Sequence, residues 1–325
     1  MRTLITGGSG FIGTNLVSRF VARGDSVLNL DIAPPRNTAH REFHRAIDLR
    51  DREGLSRTVR QFSPEVVLHM GARTDLEGHS LAEYTANTDG VRNLIVALDG
   101  IEDLRRVIVA SSRLVCRIGY QPVRDEDYCP TTVYGQSKVL GERIVRELGS
   151  QIAATWTIVR PTSIWGPWFD IPYKTFFLAI ARGRYIHPCG TTIRKSFGYV
   201  GNTVYEIERL LEANATDVGG RTLYLADYPP IDVADMAEKI RAASFAPRIR
   251  SVNRTLLKIA ARIGDGLKVL GFRDPPLTTF RLDNLMTNMI HDLGPLRQIA
   301  GDLPISLEDG IRETVEWLRA RGEVK

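Results

Sequence analysis

The chain has 325 residues, 43% hydrophobic and 25% charged, enough for one large domain or two smaller ones around a substantial core. A formal net charge of +5 favours anionic ligands such as nucleotides, but the basic residues are dispersed and form no block with interleaved aromatics, which argues against nucleic acid as a partner. The three cysteines, Cys116, Cys129 and Cys189, are an odd set without a CxxC pair, so neither a disulfide framework nor a metal site is expected and the compartment is read as reducing.

In chain order, "TLITG" (3–7) reads as a buried strand, followed by a helix over Phe11–Ala22 whose Ile12, Leu16, Val17 and Phe20 share one face. "SVLNLD" (26–31) is the second strand and is ended by "APP"; "FHRAIDLRD" (43–51) and a helix through Phe62 lead to the strand "EVVLHMG" (65–71). A helix is expected over roughly 80–98, then the strand "RRVIVASS" (105–112), a helix carrying Tyr134 and Lys138, and the strand "TWTIVRP" (155–161). Continuous apolar strands separated by helices indicate a parallel sheet covered on both faces. After Pro161 the order loosens into clustered aromatics and prolines, and "RTLYLAD" (221–227) is a later strand. The opening "MRTLITGG" leads into a strand without a signal-peptide apolar region, and no apolar run is long enough to span a bilayer, so the cytoplasm is the expected location.

Between the first strand and first helix lies "TGGSGFIG", with Gly7, Gly10 and Gly13 spaced three apart. Glycines here permit a tight turn and close backbone approach to a pyrophosphate, while the helix start at Phe11, Ile12 and Gly13 offers N–H donors and partial positive charge. Asp31 ends the second strand, where a carboxylate can accept from ribose hydroxyls and repel a 2′-phosphate; NAD is therefore expected over NADP, with the nearby Arg36 as the rival influence. "YGQSK" places Tyr134 and Lys138 four apart, on one face of a helix.

Taken with "DLRD" (48–51), "HMGARTD" (69–75), "NTDGVRNLI" (87–95), "ASS" (110–112), "RPTSIWGP" (160–167) and "SFGYVGNTV" (196–204), these motifs give the chain its family likeness. It resembles the extended short-chain dehydrogenase/reductase family, the NAD-dependent nucleotide-sugar epimerases and dehydratases, over nearly its whole length. The resemblance implies an α/β fold: a doubly wound parallel Rossmann sheet over residues 1–161, with 197–226 returning to it. A smaller α+β substrate domain, mainly C-terminal, would hold 162–196 and 227–325. It implies Tyr134 as the acid/base, Lys138 as its partner and Ser112 as the assisting hydroxyl, with Ser111 facing the other way. Lys138 and NAD would lower the Tyr134 pKa toward neutrality. Asp48 and Leu49 would lie beside the adenine, Met70, Gly71 and Ala72 along the pyrophosphate and ribose with Asn87 nearby, and Pro161 against the nicotinamide. Thr74, Ser112, Ser163 and Lys195 would meet a nucleotide-sugar substrate, and the helices at about 80–98 and 134–149 would form a homodimer.

The departures narrow the chemistry. Dehydratases carry an Asp–Glu pair after the catalytic Ser or Thr, and decarboxylating relatives keep the Glu; here those positions are Arg113 and Leu114, and leucine exchanges no proton. Cys116 replaces a tyrosine that often borders the substrate, and a packing role is expected for it. Ser163 stands for a common asparagine, and Lys195 for an arginine that binds diphosphate, with Arg194 able to share that role. The expected activity is a C4 epimerase that reduces and reoxidises a held NAD. The alternatives are a net NAD(P)-dependent reductase or dehydrogenase and, third, a non-catalytic dinucleotide sensor. In "RTLLKIAARIGDGLKVLGF" (254–272), Leu256, Leu257, Ile259, Ala260, Ile263 and Leu267 recur at helical spacing among Lys258, Arg262 and Lys268; this stripe is expected to pack on the substrate domain rather than lie on a membrane.

Overall fold

A computed structural model describes residues 1–190, 192–272 and 277–324, apart from the side chains of residues 280 and 281. Short aliphatic runs form β1 (Arg2–Thr6), β2 (Ser26–Asp31), β3 (His44–Ala46), β4 (Val66–His69), β5 (Arg106–Ala110) and β6 (Thr155–Pro161). Between them run α1 (Phe11–Ala22), α2 (Arg52–Phe62), α3 (Asp89–Leu98) and α4 (Val133–Leu148). Next come β7 (Ser163–Trp165), α5 (Tyr173–Ala181), β8 (Ile186–Pro188), β9 (Arg194–Lys195), β10 (Phe197–Tyr199), α6 (Val200–Glu212), α7 (Ala215–Val218) and β11 (Thr222–Leu225). The chain ends through β12 (Ile231–Asp232), α8 (Val233–Ala243), β13 (Arg250–Val252), α9 (Arg254–Val269), α10 (Thr279–Met286), α11 (Gly294–Ala300) and α12 (Leu307–Ala320).

Seven parallel strands lie in the order β11-β6-β5-β4-β1-β2-β3. Because successive strand residues face opposite ways, Leu4 and Val67 join Leu55, Leu94 and Val145 in one core, while Ile5 and Leu68 join Leu16, Phe20 and Ile207 in the other. Helices thus cover both faces, and the fold is the doubly wound α/β class expected. The strand order reverses between β1 and β4, which opens a crevice beyond the carboxyl ends of those strands. A third core gathers Trp165, Phe177, Tyr199, Met236, Ile240 and Val315 beside that crevice. The short strands β7 to β10, β12 and β13 pair only two by two there. Helix α11 packs Leu293, Leu296 and Ala300 into the core that holds Ile5 and Ile207.

Two helices differ from the sequence expectation. The one expected over roughly 80–98 is broken: a 3-10 segment, Leu81–Asn87, precedes α3. A capping box between Ser80 and Glu83 starts the first piece, and Tyr84 (φ −110°, ψ 27°) leaves the helical well. Helix α9 buries Leu257 and Ala261 against Leu282 and Met286 of α10, but Leu256, Ile259, Ala260 and Ile263 of the expected packing stripe are exposed. Its contact with α10 is one narrow strip.

Candidate active site

The glycine loop is fixed by sterics. Gly7 has φ +70°, and a Cβ on it would sit 2.5 Å from the Gly71 nitrogen; a Cβ on Gly13 would overlap the Gly7 carbonyl oxygen. Gly10 caps α1 without a side chain, and no acidic residue occupies the first turn, so the donors at the helix start keep their positive end for a ligand. Above them opens a cavity of about 610 Å³ lined by Gly7, Gly10, Phe11, Ile12, Gly13 and Asp31. Asp31 accepts one backbone N–H on each oxygen, from Ser9 at 3.0 Å and Ala33 at 2.9 Å. That leaves lone pairs on both oxygens for a vicinal diol. The donor set, the side-chain-free cradle and this carboxylate fit a dinucleotide.

The same cavity is lined by Asp48, Leu49, Met70, Gly71, Ala72 and Thr74, and at its other end by Ser112, Tyr134, Lys138 and Pro161. Asp48 is gripped by Arg50, whose Nη2 lies 2.6 Å from the carboxylate; that hydrogen bond holds the acid below its usual range. Three expected contacts stand one step back from the cavity wall. Asn87 donates to the Arg73 carbonyl and Ser137 hydroxyl and accepts from the Arg73 N–H, bracing the 71–74 segment against α4. Ser163 accepts from the Tyr173 hydroxyl at 2.6 Å, and Tyr173 itself lines the cavity. Lys195 donates to the Asn284 carbonyl of α10 at 2.5 Å. Sequence reasoning missed Arg73, Phe169 and Tyr173 as lining residues, and the aromatic cluster after Pro161 was the signal that could have found the last two.

Tyr134 sits in the first turn of α4, whose start is capped by Thr132 accepting from Gly135 N at 3.0 Å. Lys138, one turn on, donates to the Ala110 carbonyl at 2.7 Å, which ties α4 to the end of β5. Ser112 is extended (φ −156°, ψ 150°) and caps the turn Arg113–Val115. Ser111 lines the cavity as well. Burial pushes the Tyr134 phenol up to about 12, against the Ser112 hydroxyl and the Arg113 charge, which favour phenolate. Burial also pulls the Lys138 ammonium down to about 8, with Glu142 opposing it. The expected lowering of Tyr134 by Lys138 is therefore absent from the protein alone, because the ammonium serves Ala110 and desolvation dominates. The Arg113 guanidinium has no hydrogen bond or ion pair among the described residues. Its charge reaches Lys195, which burial and Arg113 together bring down to about 8.

A family profile described as the NAD dependent epimerase/dehydratase family matches residues 3–226. The chain belongs to that family. As an extended short-chain dehydrogenase it is an NAD-dependent enzyme, and the cradle, Asp31 and the Tyr134 end of the cavity would hold the dinucleotide. It is similar to a 3-beta-hydroxysteroid dehydrogenase of Mycolicibacterium neoaurum, 24% identical over 328 residues, covering 94% of this chain and 87% of that one. N-acetyl-alpha-D-glucosaminyl-diphospho-ditrans,octacis-undecaprenol 4-epimerase of Escherichia coli O157:H7 is 28% identical over 240 residues, covering 73% of this chain and 70% of its own. Among solved structures, UDP-glucuronic acid 4-epimerase of Bacillus cereus, in complex with UDP-glucuronic acid and NAD, shares the fold with a TM-score of 0.75 at 17% identity, over 99% of this chain and 100% of that one.

Proposed function

We propose that the protein is a nucleotide-sugar epimerase acting at the sugar C4 position through a transient keto-sugar. The observation that carries this reading is the gathering of Tyr134, Lys138 and Ser112 at one end of the dinucleotide cavity, with Leu114 where an eliminating enzyme needs an acid. Bound NAD supplies the hydride acceptor. Tyr134 takes the proton of the C4 hydroxyl and returns it after the sugar has turned over, while Ser112 donates to the same oxygen. Burial raises Tyr134, and the Ser112 hydroxyl and the Arg113 charge oppose it by favouring phenolate over phenol. Arg113 and Lys195, cationic neighbours with no carboxylate partner among the described residues, suit the diphosphate of the substrate.

Residues 1–161 with 197–226 form the cofactor unit of this reading, and 162–196 with 227–325 the substrate unit. It also places the protein in the cytoplasm as a homodimer through α3 and α4; light scattering that returns only the monomer mass removes the dimer. The test of function is incubation with UDP-, dTDP-, GDP- and CDP-sugars without added reductant, read by NMR for the C4 epimer. Tyr134→Phe should lower turnover roughly 10²- to 10⁴-fold. Stoichiometric consumption of NADH or NADPH with product would overturn epimerisation.

A second reading, net oxidation or reduction of an apolar alcohol or ketone, is favoured by one feature: Ile164, Phe169, Ile171, Pro172 and Tyr173 line the substrate side of the cavity. Turnover of a hydrophobic carbinol with net NADH formation, and none of the sugar panel, would establish it.

A further inference from the structure

Helix α9 carries two apolar stripes, and only one is used. At about 100° per residue, Leu257 and Ala261 form the side buried against α10. Leu256, Ile259 and Ile263 form a second stripe, 60%, 51% and 61% exposed, with Ala260 between them. Beyond the helix end the apolar surface continues through Leu270 and Phe272, 79% and 61% exposed. Large side chains left in water singly are ordinary, but a run of them along about two turns of one helix face marks a surface made to be covered.

The charge around the stripe indicates what covers it. Arg254, Lys258, Arg262 and Lys268 are the basic residues of α9, and Asp265 its single acid. None of the four cations makes an ion pair among the described residues. Asp265 instead caps α10, accepting from the Thr279 N–H at 3.1 Å. Lys258 and Arg262 follow the exposed stripe along one flank, while α10 occupies the other. An apolar stripe bordered by unpaired cations on long stems is the pattern of a helix lying in an anionic membrane interface, its apolar side sunk below the headgroups and its cations among them. Among the described residues no helix is long and apolar enough to cross a membrane, so contact of this kind lies along the surface.

We propose that the exposed side of α9, with Leu270 and Phe272, docks the protein on an anionic phospholipid surface. Because α9 packs on α10, and Asn284 of α10 accepts from Lys195, docking sets the α9–α10 side of the protein, which reaches Lys195, against the bilayer.

The test is flotation of the full chain with phosphatidylglycerol-containing vesicles and with pure phosphatidylcholine vesicles, across a salt series. The wild type should float with the anionic vesicles, and binding should weaken as salt rises. The doubly substituted Ile259→Glu, Ile263→Glu protein should lose at least roughly tenfold in vesicle partition, and Lys258→Glu with Arg262→Glu should do the same. These positions are exposed, so the variants should keep the wild-type melting temperature and NAD affinity. Wild type left behind by both vesicle types overturns the proposal. So does a dimer mass in light scattering that Ile263→Glu abolishes while vesicle binding is absent, which would assign the stripe to a second copy.

Discussion

Arg160 and Glu142 form an ion pair sealed from water: Nε and Nη2 of the guanidinium each lie 2.8 Å from a carboxylate oxygen, and both side chains are 1% exposed. The Tyr128 hydroxyl donates to the same carboxylate at 2.8 Å, and Arg160 also donates to the Asp125 carbonyl. Glu142 lies one helical turn beyond Lys138, and Arg160 immediately precedes Pro161, so the pair joins the helix that carries Tyr134 and Lys138 to the strand that ends at the cavity. Removing the Glu142 charge leaves Arg160 buried with only the Asp125 carbonyl and the Tyr224 hydroxyl as partners. Glu142→Gln should cost about 3–5 kcal/mol, read as a lower urea midpoint with unchanged slope. A loss below about 1 kcal/mol would show that water reaches the pair.

Asp31 faces the cavity with Arg36 as its rival. Arg36 donates to the Trp168 carbonyl at 2.9 Å and approaches Asp170 at 3.7 Å, so it is engaged with the 168–170 loop. Asp31→Ala should therefore weaken NADH binding by on the order of 2–4 kcal/mol and erase most of the preference over NADPH in fluorescence titrations. Arg36→Ala should change that preference little. NADPH bound as tightly as NADH by the wild type would mean that Arg36 leaves its loop and takes the phosphate.

Glu206 and Asp227 are buried carboxyls, and the charge of Asp227 adds to the cost of ionising Glu206. Burial and the Asp227 charge push Glu206 well up, and burial brings Asp227 from its ordinary 3.8 to about 7. Both bind protons more tightly in the folded chain than in the unfolded one. The stability Asp227 contributes is complete below pH 3.8 and is lost as pH rises through about 7, and the raised Glu206 adds to the same downward trend. Thermal unfolding should show the wild type weakening between about pH 5 and pH 8, and Glu206→Met flattening that slope and melting higher at about pH 8. A wild-type melting temperature that climbs steadily over this interval would contradict the assignment.

Cys116 should behave as a packing residue. Burial pushes its thiol up to about 11, and its Sγ donates to the Asp127 carbonyl at 3.3 Å. Iodoacetamide at neutral pH should modify the exposed Cys189 well before Cys116, as read by peptide mass spectrometry. Faster labelling of Cys116 would reopen a nucleophilic role.

What the sequence disclosed well was local. The glycine loop, Asp31 at a strand end and the Tyr134–Lys138 spacing are short-range patterns whose physical reason lies within a few residues. The alternation of strand and helix was legible for the same reason. What escaped depends on contacts distant in sequence. Tyr173 stands between Ser163 and the cavity, and Asn87 braces Arg73 and Ser137 from behind. Two-residue strands such as β9 and β12 carry no readable period. In α9 the helical period was right, but period alone does not say which of two apolar stripes finds a neighbour.

The seat of α11 has a consequence for how the molecule is made. Leu293, Leu296 and Ala300 close the same core that Ile5 and Leu16 begin. A chain emerging from the ribosome can lay down all seven strands of its main sheet by Leu225 and still present oily side chains of α6 and β11 to the cell. That face stays open until α11 has been synthesised and folds back. The growing polypeptide thus carries an uncovered apolar face until α11 is made, and a stop codon ahead of α11 should yield insoluble product although every strand of the main sheet is present.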